Sequence, residues 1–504
     1  MKHWEFIKNS KFKIKNSGAA MIRDDIRQVK LEKLEKVREF GMDPYPEKNE
    51  RTNTNAEALE KFDELSGKEI TLVGRVRSMR PMGGSAFASI EDETGKIQLF
   101  LNKGNMKEEL FKLFVKTIEL GDFVQVSGEL FKTKTEEKSI KVTDWKVLSK
   151  NIRPVPTEHF GIKDEEELLR KRYLDLMTNP ETRELFKKKN IFWQTVRNFL
   201  LNEGFLEVQT PVLEHTPGGA DAEPFITHHN ALDQDFFMRI SLELPLKRLL
   251  VGGYEKVFEI GRVFRNEGID RQHLQEFDHM EFYWAYGDLE KGMEMSEKMY
   301  REIALNVLGK YTHQYEENVI DWSKPFPHVD YFEAFQKETG IDLSGEVSVE
   351  QLWKKADELK IKYDKTYGKG KMIDTIYKKT VRQKLIQPCF LVGHPIEVSP
   401  LAKKDPNNPN RVLRFQVVAG TAELCNAFAE LNDPIDQRQR FEDQMKLREA
   451  GDTEAQMIDE DFVEALEYGM PPAFGFGLSE RLFSFFMNKS IRECVIFPPM
   501  KSKE

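Results

Sequence analysis

The spacing of the strand-like runs in the C-terminal two thirds restricts the fold more than any other feature. Residues 255–265, 277–287, 411–418 and 423–432 are rich in β-branched and aromatic side chains, and each pair is separated by a short polar stretch. Parallel neighbours need a crossover of about a dozen residues or more, usually a helix. These runs therefore predict antiparallel sheet neighbours rather than a series of strand–helix–strand units. Neither a Gly-x-Gly-x-x-Gly run nor a phosphate-binding loop occurs, so a bound nucleotide is not expected on a glycine-rich turn.

The N-terminal part reads differently. Strand-like segments cover Ile70–Met79, Ala86–Glu91, Lys96–Asn102, Phe123–Lys132 and Ile140–Leu148, with a turn at Asp92-Glu93-Thr94-Gly95. Short strands packed this densely suggest a closed barrel, and the OB-fold is the five-stranded form that binds oligonucleotides. Arg75, Arg77, Phe87, Gln98 and Glu137 could make a base-stacking and base-reading face there, although an ordinary solvated surface uses the same residue types. Before the barrel, residues 21–40 predict a helix with Ile22, Ile26, Val29, Leu34 and Val37 roughly on one face, ended by Gly41 and Pro44. The chain is thus expected to be α+β. Its expected parts are a basic tail (1–20, disordered or an RNA-touching arm), an N-terminal helix (21–50), a barrel (51–150), a linker with Pro154 and Pro156 (151–165), and an antiparallel-sheet domain flanked by helices (166–504). Within the last, residues 305–375 are rich in Lys and Glu and read as a mostly helical insertion.

Composition narrows the class. Hydrophobic residues at 39% and charged residues at 32% suit a water-soluble globular protein. No apolar run approaches the ~20 residues that span a membrane. Cys389, Cys425 and Cys494 lie far apart without metal or redox spacing. With no secretory signal pattern either, a reducing cytoplasm is the expected compartment. The net charge of −9 argues against a uniformly basic coat for nucleic acid, but leaves room for local basic patches.

Four clusters carry candidate chemistry. Glu203 to Pro211 turns a helix (184–202) into a strand ending in proline, which suits an edge or an interface. Phe258 to Glu267 and Glu276 to Tyr283 are two strands joined by a polar loop. Arg265 could clamp a carboxylate to a phosphate there, or simply form a rim ion pair with Glu267, and Phe277 could stack on a base. Glu423, Asn426 and Glu430, with Glu243, Glu281 and Tyr283, would make a site acidic enough to need a cation such as Mg²⁺ or an ammonium. Glu423 has the opposite strand parity to Asn426 and Glu430, so a bend is required to bring all three together. Gly475-Phe476-Gly477 before Arg481 leaves room for a flat ligand and opens a helix on an anion-favouring arginine. Each cluster by itself also has a purely structural explanation.

Their order resembles motifs 1, 2 and 3 of class II aminoacyl-tRNA synthetases. Further segments resemble the lysyl-tRNA synthetases in particular: Pro217-Gly218-Gly219-Ala220, Leu246-Lys247-Arg248-Leu249, Arg172-Tyr173-Leu174-Asp175-Leu176 and Glu430-Leu431-Asn432-Asp433-Pro434. The resemblance covers about residues 25–500. It implies a six- to seven-stranded antiparallel catalytic sheet, an OB-fold for the anticodon, and a homodimer through motif 1. It also implies ATP, L-lysine and tRNA(Lys) as substrates, with Mg²⁺. By position it assigns Arg265 to the lysine carboxylate and the α-phosphate, and Glu267 and His273 to ATP. Phe277 and Arg481 would sandwich the adenine, and Glu423 would hold Mg²⁺. Gly219 and Glu243 would take the lysine α-amino end, while Glu281, Tyr283, Asn426 and Glu430 would hold the side-chain ammonium. Phe87 and Glu137 would meet anticodon bases, with Arg75 and Gln98 on the same face. Gln416 stands where the family usually has a metal-binding glutamate, and motif 3 is one residue short before Arg481. Competing expectations are an aspartate or asparagine enzyme of the same class, a paralogue that lysylates a protein, and a non-catalytic tRNA-binding module. The acidic side-chain pocket, the presence of the barrel, and the retention of Arg265, Arg481 and Glu423 speak against them in turn.

Overall fold

The computed structural model of the chain describes residues 25–156, 164–268, 270–451 and 454–502. They fall into two compact units, divided at residues 161 and 162.

The first unit is a closed five-stranded barrel of β1 (Glu69–Met82), β2 (Ser85–Glu91), β3 (Lys96–Asn102), β4 (Phe123–Lys132) and β5 (Lys138–Ser149), in the order β1-β2-β3-β5-β4. Period-two alternation builds it. Ile97, Leu99 and Leu101 point inward with Ala86, Ala88, Ile90, Val124 and Val126, while Gln98, Phe100 and Phe87 face out. Residues 25–39 are helical, but the buried stripe differs from expectation. Leu34 and Val37 are buried, Ile26 and Val29 are exposed, and Lys30 takes the place beside Leu34. The cause is an acid on the barrel: Glu119 accepts from both Lys30 and Lys33 and turns the helix toward itself. Ile22 and the basic tail lie outside the described residues.

The second unit is organised by one nine-stranded sheet. Its strands are β6 (Leu206–Glu207), β7 (Lys256–Phe264), β8 (Glu276–Ala285), β9 (His328–Asp330), β10 (Cys389–Val392), β11 (Arg414–Ala419), β12 (Ala422–Glu423), β13 (Asn426–Ala429) and β14 (Ala473–Ser479). The order is β9-β10-β11-β13-β14-β8-β7-β6, with β12 on β11. The sheet is larger than the expected six or seven strands. Its centre is antiparallel, but both edge pairs, β6–β7 and β9–β10, are parallel. Helical segments follow these short edge strands, Glu243–Val251 between β6 and β7 and the three helices from Tyr331 to Lys379 between β9 and β10, and supply the crossovers that parallel pairing needs.

Alternation divides the sheet into two faces. On one, Met280, Phe282, Phe474 and Phe476 pack with Phe192, Phe199, Met295 and Met299 from the helices Pro180–Asn202 and Leu289–Leu308. The other face of β8 carries Phe277, His279, Glu281 and Tyr283 into a cavity. The segment 305–375 contains the helices Tyr331–Thr339, Val349–Glu358 and Lys369–Lys379, but it is less helical than expected. It also contributes edge strand β9 and a hairpin, Thr312–Tyr315 with Asn318–Asp321. That hairpin turns through Glu316 at φ 50, so it lacks the Asn-Gly or Asp-Gly signal by which such turns are recognised.

Candidate active site

A cavity of ≈ 320 Å³ opens on the free face of the sheet. Gly219, Glu243, Arg265, Glu267, His273, Phe277, Glu281, Tyr283, Gln416, Glu423, Asn426 and Arg481 all line it. Glu430 does not. It lies beneath the floor, 1% exposed, behind Gly475 and Tyr283. The floor is thin because β14 runs between β8 and β13, with Gly477 paired to Glu281 and Asn426, and Gly475 paired to Tyr283 and Phe428. A Cβ on Gly475 would stand 2.0 Å from Glu430 Oε1, so only glycine lets that carboxylate approach the cavity.

One end of the cavity is cationic. Arg265 leaves the end of β7, its backbone N–H donating to Gln275 O at 2.8 Å and its Nε to Ile240 O at 3.2 Å. Its guanidinium lies 5.3 Å over the Phe277 ring, and among the described residues it forms no ion pair with Glu267. Arg481 opens the helix Arg481–Met487 and donates to His273 Nε2 at 2.9 Å, so the shorter motif 3 still delivers it to the cavity. A guanidinium can only donate, so His273 carries its proton on Nδ1 and donates it to Asp270 at 2.7 Å. Arg481 is thus held against His273 rather than over Phe277. Burial pushes both arginines down, and Glu423 opposes this at Arg481.

The other end is acidic. Glu281 accepts from Ser241 Oγ at 2.6 Å, Leu242 N–H at 3.0 Å, His279 Nε2 at 3.3 Å and Tyr283 O–H at 2.7 Å. Three of these donors meet Oε1 and one meets Oε2, so Glu281 is anchored through Oε1 and keeps room for one more donor on Oε2. Burial alone would raise its carboxyl, but the donors, led by His279 and Ser241, hold it at about 2. Tyr283 spends its proton on Glu281 and keeps its oxygen lone pairs. Glu430 Oε1 has no hydrogen-bond partner. Glu243 is pushed up to about 7 by burial, against the pull of Lys247. Gly219 packs onto Ser241 and Glu243 at φ +84, where a Cβ would come within 2.9 Å of both side chains.

Sequence reasoning missed several of these partners. Lys247 joins Glu243 at 2.5 Å and also pairs with Glu430. Its i, i+4 spacing from Glu243 on a helix was legible, but the reach to Glu430 was not. Arg414 donates to Asn426 Oδ1 at 2.7 Å and shares strand parity with Gln416, the one signal that marked it. The chain leaves the sheet at Leu424 and Cys425, and that break lets Glu423 and Asn426 face one cavity despite opposite parity.

On the barrel, Phe87, Phe100 and Phe131 form an outward row with ring centroids 5.1 and 5.7 Å apart. Gln98 lies on the same face and donates to Ser139 Oγ at 3.1 Å, and Glu137 is exposed in the turn before β5. Arg75 is outward too, but it covers Phe123 at 4.4 Å and pairs across from Glu91, whereas Phe87 stands opposite Arg80. Phe100 and Phe131 had not been marked by sequence.

Residues 164–501 match the model for class II tRNA synthetases (D, K and N), and residues 70–148 match the OB-fold nucleic acid binding domain. The chain belongs to the class II tRNA synthetases. Among its relatives is a lysine–tRNA ligase of Halalkalibacterium halodurans, 45% identical over 95% of this chain and 98% of that protein. Lysine–tRNA ligases of Moorella thermoacetica (44%; 95% and 99%) and Bacillus subtilis (43%; 95% and 98%) match over similar lengths. The resemblance implies a divalent cation, which makes Glu423 the residue to test for fit. Its carboxyl would be raised by burial, but Arg382, at 3.1 Å, and Lys378 hold it down, so it is an anion on the cavity wall. Gln416 donates to it at 3.4 Å and sets its own carbonyl oxygen toward His394. Among the described residues no group of three or more His, Cys, Asp or Glu could hold a metal alone. The donor set suits a cation that arrives on phosphate oxygens and takes one carboxylate from the protein, the usual habit of Mg²⁺.

Proposed function

We propose that the chain is a lysine–tRNA ligase, activating L-lysine with ATP and transferring the lysyl group to the 3′ end of tRNA(Lys). The observation that carries this reading is the acidic end of the cavity. Glu430 Oε1 lacks a partner, Tyr283 has free lone pairs, and Glu281 is a fixed anion behind them. A buried acceptor without a donor is costly, and an incoming ammonium removes that cost. An aspartate side chain would set like charges together, and an asparagine amide would leave the acids uncompensated.

Phe277, His279, Glu281 and Tyr283 alternate along β8, so the cavity runs from a base-stacking end, where Arg265 lies over Phe277, to an ammonium end. Arg265 would draw the lysine carboxylate and the α-phosphate together. The carboxylate oxygen then bonds to the α-phosphorus as the bond to the bridging oxygen of pyrophosphate breaks. No protein nucleophile is required, because the carboxylate is already ionised. Catalysis rests on positioning and charge neutralisation. Arg481, steered by His273, would meet the outer phosphates. Mg²⁺ held by Glu423 would neutralise phosphate charge. The 3′-hydroxyl of tRNA then displaces AMP from the lysyl group. The Phe87–Phe100–Phe131 row supports stacking of unpaired anticodon bases, beside Gln98 and Glu137. Leu206, Val212, Leu213 and Ile226 are exposed around the motif 1 strand, which supports a homodimer through that surface. No helix among the described residues is long and apolar enough to cross a membrane, and the three buried free cysteines suit a reducing cytoplasm.

ATP–pyrophosphate exchange assayed with each standard amino acid tests the reading. Exchange with lysine alone is expected. Preference for aspartate or asparagine, or no exchange with any amino acid, overturns it.

A further inference from the structure

Lys247 lies on the helix Glu243–Val251 with no exposed surface, between two acids at the amino-acid end of the cavity. Its ammonium pairs with Glu243 at 2.5 Å and with Glu430. Phe428, Phe462 and Tyr283 close over it at 5.4, 5.7 and 6.0 Å. An ammonium so surrounded is satisfied, and it does not line the cavity. Its effect falls on its partners. One oxygen of Glu430 is turned toward Lys247, while Oε1 lies against Gly475 and Tyr283 at the floor without a partner.

We propose that Lys247 is a positioning residue that sets amino-acid specificity: it holds one oxygen of Glu430, aims the other at the cavity floor and draws the carboxyl toward its charged form, so that the site selects an ammonium over a neutral chain of equal length. This rests on the reading of the cavity as a lysine site. Burial drives both Glu243 and Glu430 toward their neutral forms and leaves the Glu430 carboxyl well above the usual carboxylate range, and the charge of Lys247 is the largest influence opposing it at each. The carboxylates in return hold Lys247 charged against its own burial. With no resident cation, the two acids would take up protons. A neutral carboxyl exerts no Coulombic preference for a cation, and selectivity would fall to hydrogen bonding and shape. A resident lysine also absorbs part of the mutual repulsion among Glu243, Glu281 and Glu430, so the empty pocket can hold its acids together before substrate arrives.

The test is ATP–pyrophosphate exchange by full-length Lys247→Met, with lysine and with norleucine, which has the same carbon chain without the side-chain ammonium. The expected result is a rise of about 100-fold in the KM for lysine, the size associated with breaking a buried charge pair, with the KM for ATP within about twofold. The lysine-to-norleucine ratio of kcat/KM should collapse by a similar factor. In the double variant Lys247→Met/Glu430→Gln, the lysine KM should rise by clearly less than the product of the two single effects, because Lys247 acts in part through Glu430. A folded Lys247→Met with unchanged lysine KM and unchanged selectivity overturns the proposal. So does a loss shared equally by ATP and lysine with selectivity intact, which would mark a structural role. If Lys247→Met does not fold, Glu243→Gln/Lys247→Met removes an acid together with the cation; its lysine KM should exceed that of Glu243→Gln alone by a similar factor, and equal values overturn the proposal. Wild-type enzyme that activates some other amino acid refutes the proposed function, whereas wild-type activity on lysine with an unaltered variant refutes only the role of Lys247.

Discussion

The two ends of the cavity solve opposite electrostatic problems. The nucleotide end presents Arg265 and Arg481, restrained by a carbonyl, an aromatic face and a neutral imidazole, none of which cancels their charge. The amino-acid end presents carboxylates that are all but completely buried, and nearly every one is already engaged: Glu281 by four donors, Glu243 and Glu430 by Lys247. Guanidinium stays charged under almost any burial, so an arginine can wait for its phosphate. A buried carboxylic acid protonates if left alone, so the protein must supply a cation of its own to keep it ready.

The sharpest way to break this comparison is at the cationic end. Arg265→Ala is expected to lower ATP–pyrophosphate exchange by about 1000-fold, as for removal of a buried transition-state donor, with thermal unfolding unchanged. At the acidic end, Glu430→Gln should raise the KM for lysine by about 100-fold and leave that for ATP alone, since only one substrate meets it. If steady-state kinetics instead showed both KM values moving together, the two ends would not be separable. The barrel supplies a control outside the cavity. Phe87→Ala should raise the KM for tRNA by about 10-fold, from loss of one stacked base, while exchange stays at the wild-type rate. The smallest effect is with pH. Burial lifts Glu243 to about 7, with Lys247 pulling it down and Glu281 pushing it up. Its protonated form predominates below that value, and a cationic amino acid binds the ionised form better. The KM for lysine should therefore fall several-fold as pH rises through about 7. Glu243→Gln should flatten that profile, and a profile surviving the substitution would assign the titration elsewhere.

What the sequence made legible follows the same division. The nucleotide end comes mainly from one hairpin, β7–β8, and its loop, so residues close in sequence are close in space, and parity along β8 picks out Phe277, Glu281 and Tyr283. The barrel was legible for a similar reason: strict alternation in β2 and β3 reveals inside and outside. The acidic end was not. Parity assigns Glu430 to the side of Asn426, but the residue stands just past the end of β13, bridged to Ala402, and its depth below Gly475 depends on a strand more than forty residues away. Lys247 was marked only within the segment Leu246-Lys247-Arg248-Leu249, with no role assigned to it. The buried stripe of the helix at 25–39 and the hairpin at 312–321 differ from expectation because a distant acid and a left-handed glutamate, neither of them a pattern, determine them.

The position of β14 has a further consequence, for synthesis and truncation. This strand, Ala473–Ser479, follows every other strand of the sheet in sequence, yet it lies in the interior, joining β8 to β13. A nascent chain released or cut before residue 473 would keep most of its secondary structure as two half-sheets with unpaired facing edges. Such a fragment would have no pocket floor, and its open edges would invite association with other chains. Truncation before Ala473 should thus produce an aggregating species rather than a shortened, weakly active one.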